Sequence, residues 1–218
     1  MQPKKRRSWT GIATLGIGFA LAIALALAPG ASHAADTPRT VVEVTAHKAL
    51  EILNSGASEG EKIKRLEQIA YATIDFETVS RLVLAKYWKQ FTPEQRQQFQ
   101  DEFKRTLTIS YGRRIGQFGG EKFVVVRERQ EPLSDVTVQS QIVGKAGDVK
   151  ADYRLRQKDA TWYVIDVTVE GVSIVSSYRT QFQEIIDQGG PKQLLDELRA
   201  KNASGEGLAV PETAGSGA

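Results

Sequence analysis

The sequence predicts an α+β fold in which helices cover one face of a curved antiparallel sheet. Apolar residues recur at three- and four-residue spacing before residue 120, which is the period of an amphipathic helix. Between residues 122 and 170 they alternate with polar residues, which is the period of a half-buried strand. Helical spacing then returns after residue 172. The order of helices, strands and helices indicates one domain with segregated layers.

The two ends of the chain differ in composition from the part between them. Residues 1–34 carry four basic residues, an uncharged apolar run and the small residues of Ala31–Ala34, which predicts a secretory signal peptide cleaved near Ala34. An uncleaved membrane anchor is the alternative, because the apolar run is just long enough to span a bilayer. Residues 202–218 are rich in Gly, Ala and Ser and predict a disordered tail. The domain is therefore expected at residues 35–201 of an exported chain.

Charge and cysteine content narrow the function classes. The whole chain has 29 basic and 26 acidic residues, and the predicted signal peptide holds four of the basic ones. Its removal leaves 25 against 26, so the exported chain has no basic excess and no nucleic-acid partner is expected. There are no cysteines, so the core must hold the fold without disulfides.

Helices are predicted at residues 40–53, 60–71, 76–84, 93–115, 173–188 and 191–201. Asp75 is expected to cap the third of these helices. Thr92, Pro93 and Gln95 have the pattern of a capping box with Pro at the first helical position, and they open the long fourth helix. Gly189 and Gly190 are expected to break the final helix pair.

Four strands, or five, are predicted as a meander. They cover residues 122–129, 136–143, 149–157 and 162–170, with a hairpin turn at residues 144–147. The alternation places one apolar and one polar set on opposite faces of the sheet. The expected apolar face consists of Val136, Val138, Ser140, Ile142, Tyr153, Leu155, Tyr163, Ile165, Val167 and Val169. Arg154 and Arg156 fall on the polar face, as a solvated surface or a docking surface.

The residue inventory argues against catalysis. His47 is the only histidine after residue 34, and one histidine without cysteine does not make a usual zinc site, so no metal or cofactor is expected. Asp152, Asp166 and Glu170 lie on or beside neighbouring predicted strands and leave open a paired-carboxylate enzyme. They are surrounded by Val and Ile, which favours structural roles and a protein that is not an enzyme.

Two blocks of the sequence resemble the MlaC family of periplasmic phospholipid carriers, also called toluene-tolerance auxiliary proteins. The first is the run W-Y-V-I-D-V-T-V-E-G-V-S followed by Y-R-T-Q-F, from Trp162 to Phe182. The second joins L-A-K-Y-W at residues 84–88 to T-P-E-Q-R at residues 92–96. The resemblance spans roughly residues 41–201. Ala85 departs from it, since glycine is common at that position in the family.

The resemblance implies an NTF2-like scaffold that encloses an apolar pocket for phospholipid acyl chains. Carried onto this sequence with the strand parity, it implies the following lining residues: Tyr111, Val138, Tyr153, Val167, Val169, Val172, Val175 and Tyr178. It also implies a shuttle that maintains outer-membrane lipid asymmetry. The implied partners are phospholipid, an inner-membrane ABC transporter with an MCE-type subunit, and an outer-membrane lipoprotein complex. A hopanoid or another lipid on the same fold is the alternative cargo.

Overall fold

A computed structural model of the chain describes residues 36–112, 120–144 and 147–208, and the expected signal peptide and its cleavage site lie outside these residues. The helices are α1 (Pro38–Asn54), α2 (Glu59–Thr73), α3 (Phe76–Leu84), α4 (Pro93–Gly112) and α5 (Ile174–Ala203), with short 3-10 helices at Ala85–Gln90 and Pro132–Ser134. The strands are β1 (Lys122–Gln130), β2 (Val136–Gly144), β3 (Gly147–Lys158), β4 (Thr161–Val169) and β5 (Val172–Ser173).

The helix starts follow from local side-chain caps, as the sequence predicts. The Asp75 carboxylate accepts a hydrogen bond of 3.1 Å from the backbone amide of Thr78. At the start of α4, the Thr92 amide donates to Gln95 Oε1 at 3.0 Å and the Gln95 amide donates to Thr92 Oγ1 at 3.2 Å. This reciprocal pair satisfies two amides that the first turn would otherwise leave unpaired.

The final helix bends where the sequence predicts a break. Gly189 and Gly190 have non-helical backbone angles within α5, and Gly190 has a φ of 71°. The predicted end of the fourth helix, at residues 113–119, lies outside the described residues. Within the described ranges, no helix is both long enough and apolar enough to cross a membrane.

The sheet is antiparallel and its strands follow chain order from β1 to β5. This confirms the predicted meander, and the fifth strand is the short pairing of Val172 with Val169 and of Ser173 with Thr168. Gly144 pairs with Gly147, so the predicted hairpin closes at the expected place, although residues 145 and 146 lie outside the described part.

A β-bulge changes which residues of β4 face the helices. Tyr153 pairs with Val167, but Leu155 pairs with Val164, so Ile165 is the extra residue. A bulge shifts the alternation by one position. Val164 therefore shares a face with Val167, whereas Tyr163 pairs with Arg156 on the opposite face. The sequence prediction that Tyr163 and Ile165 belong to the same face as Val167 is wrong for this reason.

The packed domain continues past the predicted boundary at residue 201. The side chain of Asn202 is buried, accepts a hydrogen bond from Thr106 Oγ1 and donates one to the backbone carbonyl of Glu102. Leu208 is also buried, and its backbone exchanges hydrogen bonds with Ser110 Oγ. Residues 202–208 are thus docked on α4, which corrects the start of the predicted tail; residues 209–218 lie outside the described part.

The buried apolar residues form two clusters. The helical cluster joins α3, α4, α5 and the 3-10 helix between α3 and α4, and it is centred on Phe99, Phe103, Tyr178 and Phe182. The sheet cluster consists of Val42, Val138, Leu155 and Val164. Ile74 packs against both clusters. A domain of this size usually has one contiguous core, so the division between helices and sheet marks the place where a site can lie.

Candidate functional site

The apolar face of the sheet presents two rows of paired residues. One row runs across three strands through Val138, Tyr153 and Val167. The other row joins Val125, Ser140, Ala151, Val169 and Val172 across all five strands. Side chains opposite one another on neighbouring strands lie about 5 Å apart at their Cβ atoms, so each row is a continuous strip. These rows form the floor of the candidate site.

Tyr153 lies at the centre of this floor and is shielded from water without being fully packed. Burial raises the pKa of its hydroxyl to about 12. The residue nevertheless keeps some accessible surface, unlike Val138 beside it, which has none. Burial is the one cause of this pKa shift, with no hydrogen-bonding or charged neighbour contributing to it among the described residues.

The residues at the boundary between the two clusters share this partial exposure. Those on the sheet side are Phe123, Val125, Tyr153 and Val167. Those on the helix side include Leu107 and Ile174. Closely packed neighbours would remove the remaining accessible surface of these side chains, so their packing is incomplete.

Helix α2 is also incompletely packed on its apolar side. Its apolar stripe consists of Ile63, Leu66, Ile69 and Ala70, and none of these residues is buried. Ile63 lies against Gly112 of α4, so α2 is held to the helices at that point. An amphipathic helix of a closed domain normally buries its stripe. The apolar stripe of α2 is therefore only half-buried.

The D-V-T-V-E-G-V-S motif builds the corner where β4 gives way to α5. Glu170 and Gly171 both have positive φ, 49° and 83°, as a tight two-residue turn requires. The Asp166 carboxylate accepts hydrogen bonds from Ser173 Oγ at 2.6 Å and from the Val175 amide at 3.1 Å. Ser173 Oγ in turn accepts from the Ser176 amide at 3.0 Å. The motif is therefore a helix cap that fixes α5 against the sheet.

The three carboxylates considered for catalysis have separate structural partners. Asp166 caps α5, as described above. Asp152 accepts a hydrogen bond of 3.0 Å from Gln139 Nε2, and Glu170 accepts one from the backbone amide of Lys150. None of these contacts pairs one of the three carboxylates with another. The geometry favours the structural reading over a paired-carboxylate site.

The structure brings together five of the eight residues predicted to line the site. These are Val138, Tyr153, Val167, Val169 and Val172, all on the apolar floor. Tyr111 is partly buried in the last described turn of α4. Val175 and Tyr178 belong instead to the helical cluster, where they are 4% and 0% exposed.

The position of Tyr178 corrects its predicted role. Its ring packs edge-on against Phe103 at a centroid distance of 5.2 Å and lies 5.6 Å from Phe182. The stripe of α5 that carries Val175 and Tyr178 faces α3 and α4, because the Asp166 cap sets the rotation of the helix. In the described structure these two side chains are packed into the helical cluster and do not lie on the apolar floor.

The prediction missed the contribution of β1. Phe123 and Val125 point to the floor and pack against the sheet cluster. Their alternation with Lys122 and Val124 was visible in the sequence, but the three consecutive valines at residues 124–126 obscured it. Val124 and Val126 are exposed by 46% and 56%, which shows that only one side of this edge strand is covered.

Arg154 and Arg156, on the polar face of the sheet, pair with a buried carboxylate. Asp135 is fully buried at the start of β2 and is held by Arg156, at 2.7 Å from Nε, and by Arg154, at 2.8 Å from a terminal nitrogen. Hydrogen bonding to Asp135 raises the pKa of Arg156. A buried carboxylate requires such pairing. The two arginines are therefore neither a simple solvated face nor free for a partner.

These features define an α+β protein whose antiparallel sheet carries a partly covered apolar face, which is the candidate site. Comparison with known proteins gives the particular family: the family model described as MlaC protein matches residues 43–200, and the chain belongs to the MlaC family. This confirms the resemblance seen in the sequence.

Two relatives agree with this assignment. The toluene tolerance protein ttg2D of Pseudomonas putida is 28% identical over 177 residues, which cover 78% of this chain and 82% of the relative. The solved structure of a phospholipid-binding protein from Ralstonia solanacearum, in complex with a phospholipid, superposes with a TM-score of 0.69 at 25% identity. That match covers 76% of this chain and 96% of the other.

Proposed function

We propose that this protein is a periplasmic phospholipid carrier whose apolar site holds acyl chains between the sheet and the helices. The observation that carries the proposal is Tyr153, which is shielded from water, only partly packed, and central to an apolar floor. The phospholipid bound by the Ralstonia relative, which this chain matches over nearly the whole of that structure, supports the same cargo.

The energetics favour a carrier that performs no chemistry. A diacyl lipid has about 30 methylenes, and each costs about 0.8 kcal/mol to expose to water, so free diffusion between membranes is negligible. An apolar gap inside the protein replaces the bilayer for these chains, and transfer then becomes nearly neutral. The structural roles of Asp152, Asp166 and Glu170 agree with a protein that is not an enzyme.

The direction of transport must come from the membrane components on either side. We infer from the family that the donor and acceptor are an inner-membrane ABC transporter with an MCE-type subunit and an outer-membrane lipoprotein complex. Movement of phospholipid between them would maintain outer-membrane asymmetry. The predicted signal peptide, cleaved near Ala34, would deliver the chain to the compartment between the two membranes.

Lipid extraction tests the cargo directly. The protein is purified from a bacterial periplasm without detergent, and bound lipid is extracted, quantified and identified by mass spectrometry. Diacyl phospholipid in near-equal molar amount supports the proposal. A hopanoid as the main species would support the alternative cargo, and a lipid-free protein would contradict both.

A further inference from the structure

The segment from Arg81 to Arg96 concentrates positive charge in an exported chain whose remaining residues are more acidic than basic, 25 against 21. It contains four cations, Arg81, Lys86, Lys89 and Arg96, and a single carboxylate, Glu94. Across the described ranges, none of the four cations is in a salt bridge. Charged residues that serve only to solubilise a surface are usually mixed in sign, so this grouping requires an explanation.

Trp88 lies in the middle of these cations. The Arg96 guanidinium carbon is 4.8 Å from the centre of the Trp88 ring system, and that of Arg81 is 5.8 Å away. Arg96 is also fixed by a hydrogen bond of 3.1 Å from its Nε to the Trp88 carbonyl. Two guanidinium groups that share one ring repel each other, and no carboxylate in the described part of the chain bridges them. A nearby anion would relieve this repulsion.

Lys86 and Lys89 belong to the same short 3-10 helix as Trp88, and the amine of Lys86 lies 4.8 Å from the centre of the Tyr87 ring. Both lysines are exposed, and they are three residues apart in this helix, so their side chains are aligned along the helix. The Tyr87 hydroxyl, and more weakly the Asp187 carboxylate, raise the pKa of Lys86, so its amine stays charged. Asp187 itself accepts the hydrogen bond of Tyr87. The Asp187 carboxylate therefore lies near Lys86, but it does not neutralise the four cations.

We propose that Arg81, Lys86, Trp88, Lys89 and Arg96 form a surface that binds anionic phospholipid membranes reversibly. We refer to these five residues as the basic Trp88 surface. Tryptophan favours the boundary between water and lipid, and lysines can keep their stems against that boundary while the amines reach phosphate groups. Each basic residue near an anionic bilayer adds only a small attraction, so four of them give contact that is weak enough to release.

Weak contact suits the proposed function, although the surface does not depend on it. A carrier must approach a membrane and leave again, and the rest of the exported chain, with 21 basic and 25 acidic residues outside residues 81–96, provides no general attraction to anionic lipid. The basic Trp88 surface belongs to the helical part of the molecule and is separate from the apolar floor. Membrane contact can therefore be measured independently of bound cargo.

Vesicle sedimentation tests the surface. Exported protein is mixed with phosphatidylcholine vesicles that either contain or lack phosphatidylglycerol, and the bound fraction is measured with its cargo content. We expect wild type to bind only the anionic vesicles, and Lys86→Glu/Lys89→Glu to bind about tenfold less. Binding should also disappear near 0.5 M salt, where the screening length is about 4 Å.

The matched control reverses two lysines elsewhere. Lys48 on α1 and Lys64 on α2 are both exposed, and Lys48→Glu/Lys64→Glu changes the net charge by the same amount. This control should bind as wild type does. Equal loss in both variants would mean nonspecific attraction and would overturn the proposal. Wild type that fails to bind anionic vesicles would also overturn it and would favour an acidic protein as partner.

Melting temperature and co-purified lipid are measured on each variant. The proposal requires that Lys86→Glu/Lys89→Glu keep both, since the lysines are exposed and lie away from the floor. The neutral variant Lys86→Gln/Lys89→Gln should bind vesicles less than wild type and more than Lys86→Glu/Lys89→Glu. Vesicle binding that does not decrease in this order of charge would count against the proposal. If all variants lack lipid but bind vesicles as expected, the carrier function fails while the membrane surface stands.

Discussion

Asp166 on β4 and Ser173 at the start of α5 are joined by a hydrogen bond of 2.6 Å between Ser173 Oγ and the Asp166 carboxylate. The same carboxylate accepts the Val175 amide, so the sheet and the final helix share one cap. Because this cap sets the rotation of α5, it determines which residues of α5 are buried in the helical cluster and which face the sheet.

The first prediction concerns this cap. Asp166→Ala removes the acceptor of two hydrogen bonds at a helix start, and we expect a loss of about 1–2 kcal/mol in the free energy of unfolding. Urea denaturation measures the change. Asp148→Ala is the control, because Asp148 is exposed and should be nearly neutral. If both variants unfold at the wild-type urea concentration, Asp166 does not act as a cap.

The second prediction concerns buried Asp135. Arg154→Ser together with Arg156→Ser leaves this carboxylate without a partner, which should cost about 3–5 kcal/mol of stability. Adding Asp135→Ala to the double variant removes the buried charge and should restore part of the loss. Thermal unfolding of wild type, the double variant and the triple variant gives the order of their stabilities. A triple variant less stable than the double one would show that the charge is not the cause.

The third prediction concerns the backbone at Ala85. This residue ends α3 with φ 46° and ψ −119°, a conformation that costs a residue with a Cβ atom about 1 kcal/mol or more. Ala85→Gly should therefore raise the free energy of unfolding by about 1 kcal/mol. Ala72→Gly, at an exposed position in the last turn of α2, should lower it by a smaller amount. Two changes of the same sign would contradict the strain at Ala85.

The fourth prediction concerns the hydroxyl of Tyr153. Its pKa is about 12 in the folded protein against 10 for an ordinary tyrosine, so the unfolded chain loses this proton at a lower pH. Stability from this group is complete below pH 10 and declines as the pH rises from 10 to 12, by on the order of 1–2 kcal/mol. Tyr153→Phe should remove that part of the alkaline decline. An unchanged pH profile would place Tyr153 in contact with water.

Local rules explain the parts of the fold that the sequence predicts well. The caps at Asp75 and Thr92, the break at Gly189 and Gly190, and the hairpin at Gly144 each depend on residues within four positions of one another. The side-chain hydroxyl, carboxylate or missing Cβ atom that creates each feature is visible in the sequence. The family motif around Glu170 and Gly171 also predicts that a helix follows β4.

The features that the sequence did not reveal depend on distant residues. The bulge at Ile165 leaves the alternating pattern of β4 intact, so the shift of Val164 to the apolar face becomes visible only through its pairing with Leu155. Asp135 meets its arginines 19 and 21 residues along the chain. Leu208 packs beside Ser110 although its segment is rich in glycine. Val175 and Tyr178 share a helical stripe whose rotation is fixed by Asp166.

The central claim is that acyl chains occupy the apolar gap above the sheet, and a pair of adjacent residues on β1 offers the most direct test. Val125 belongs to the apolar floor, whereas Val124 is exposed on the opposite face. Tryptophan at residue 125 should fill space that a lipid chain needs, and tryptophan at residue 124 should not.

The measurement is the molar ratio of extracted phospholipid to protein in Val125→Trp and Val124→Trp, purified side by side without detergent. We predict that Val124→Trp keeps the wild-type ratio, whereas Val125→Trp loses most of its lipid and retains a melting temperature within a few degrees of wild type. Full lipid occupancy in folded Val125→Trp would contradict the proposed location of the acyl chains.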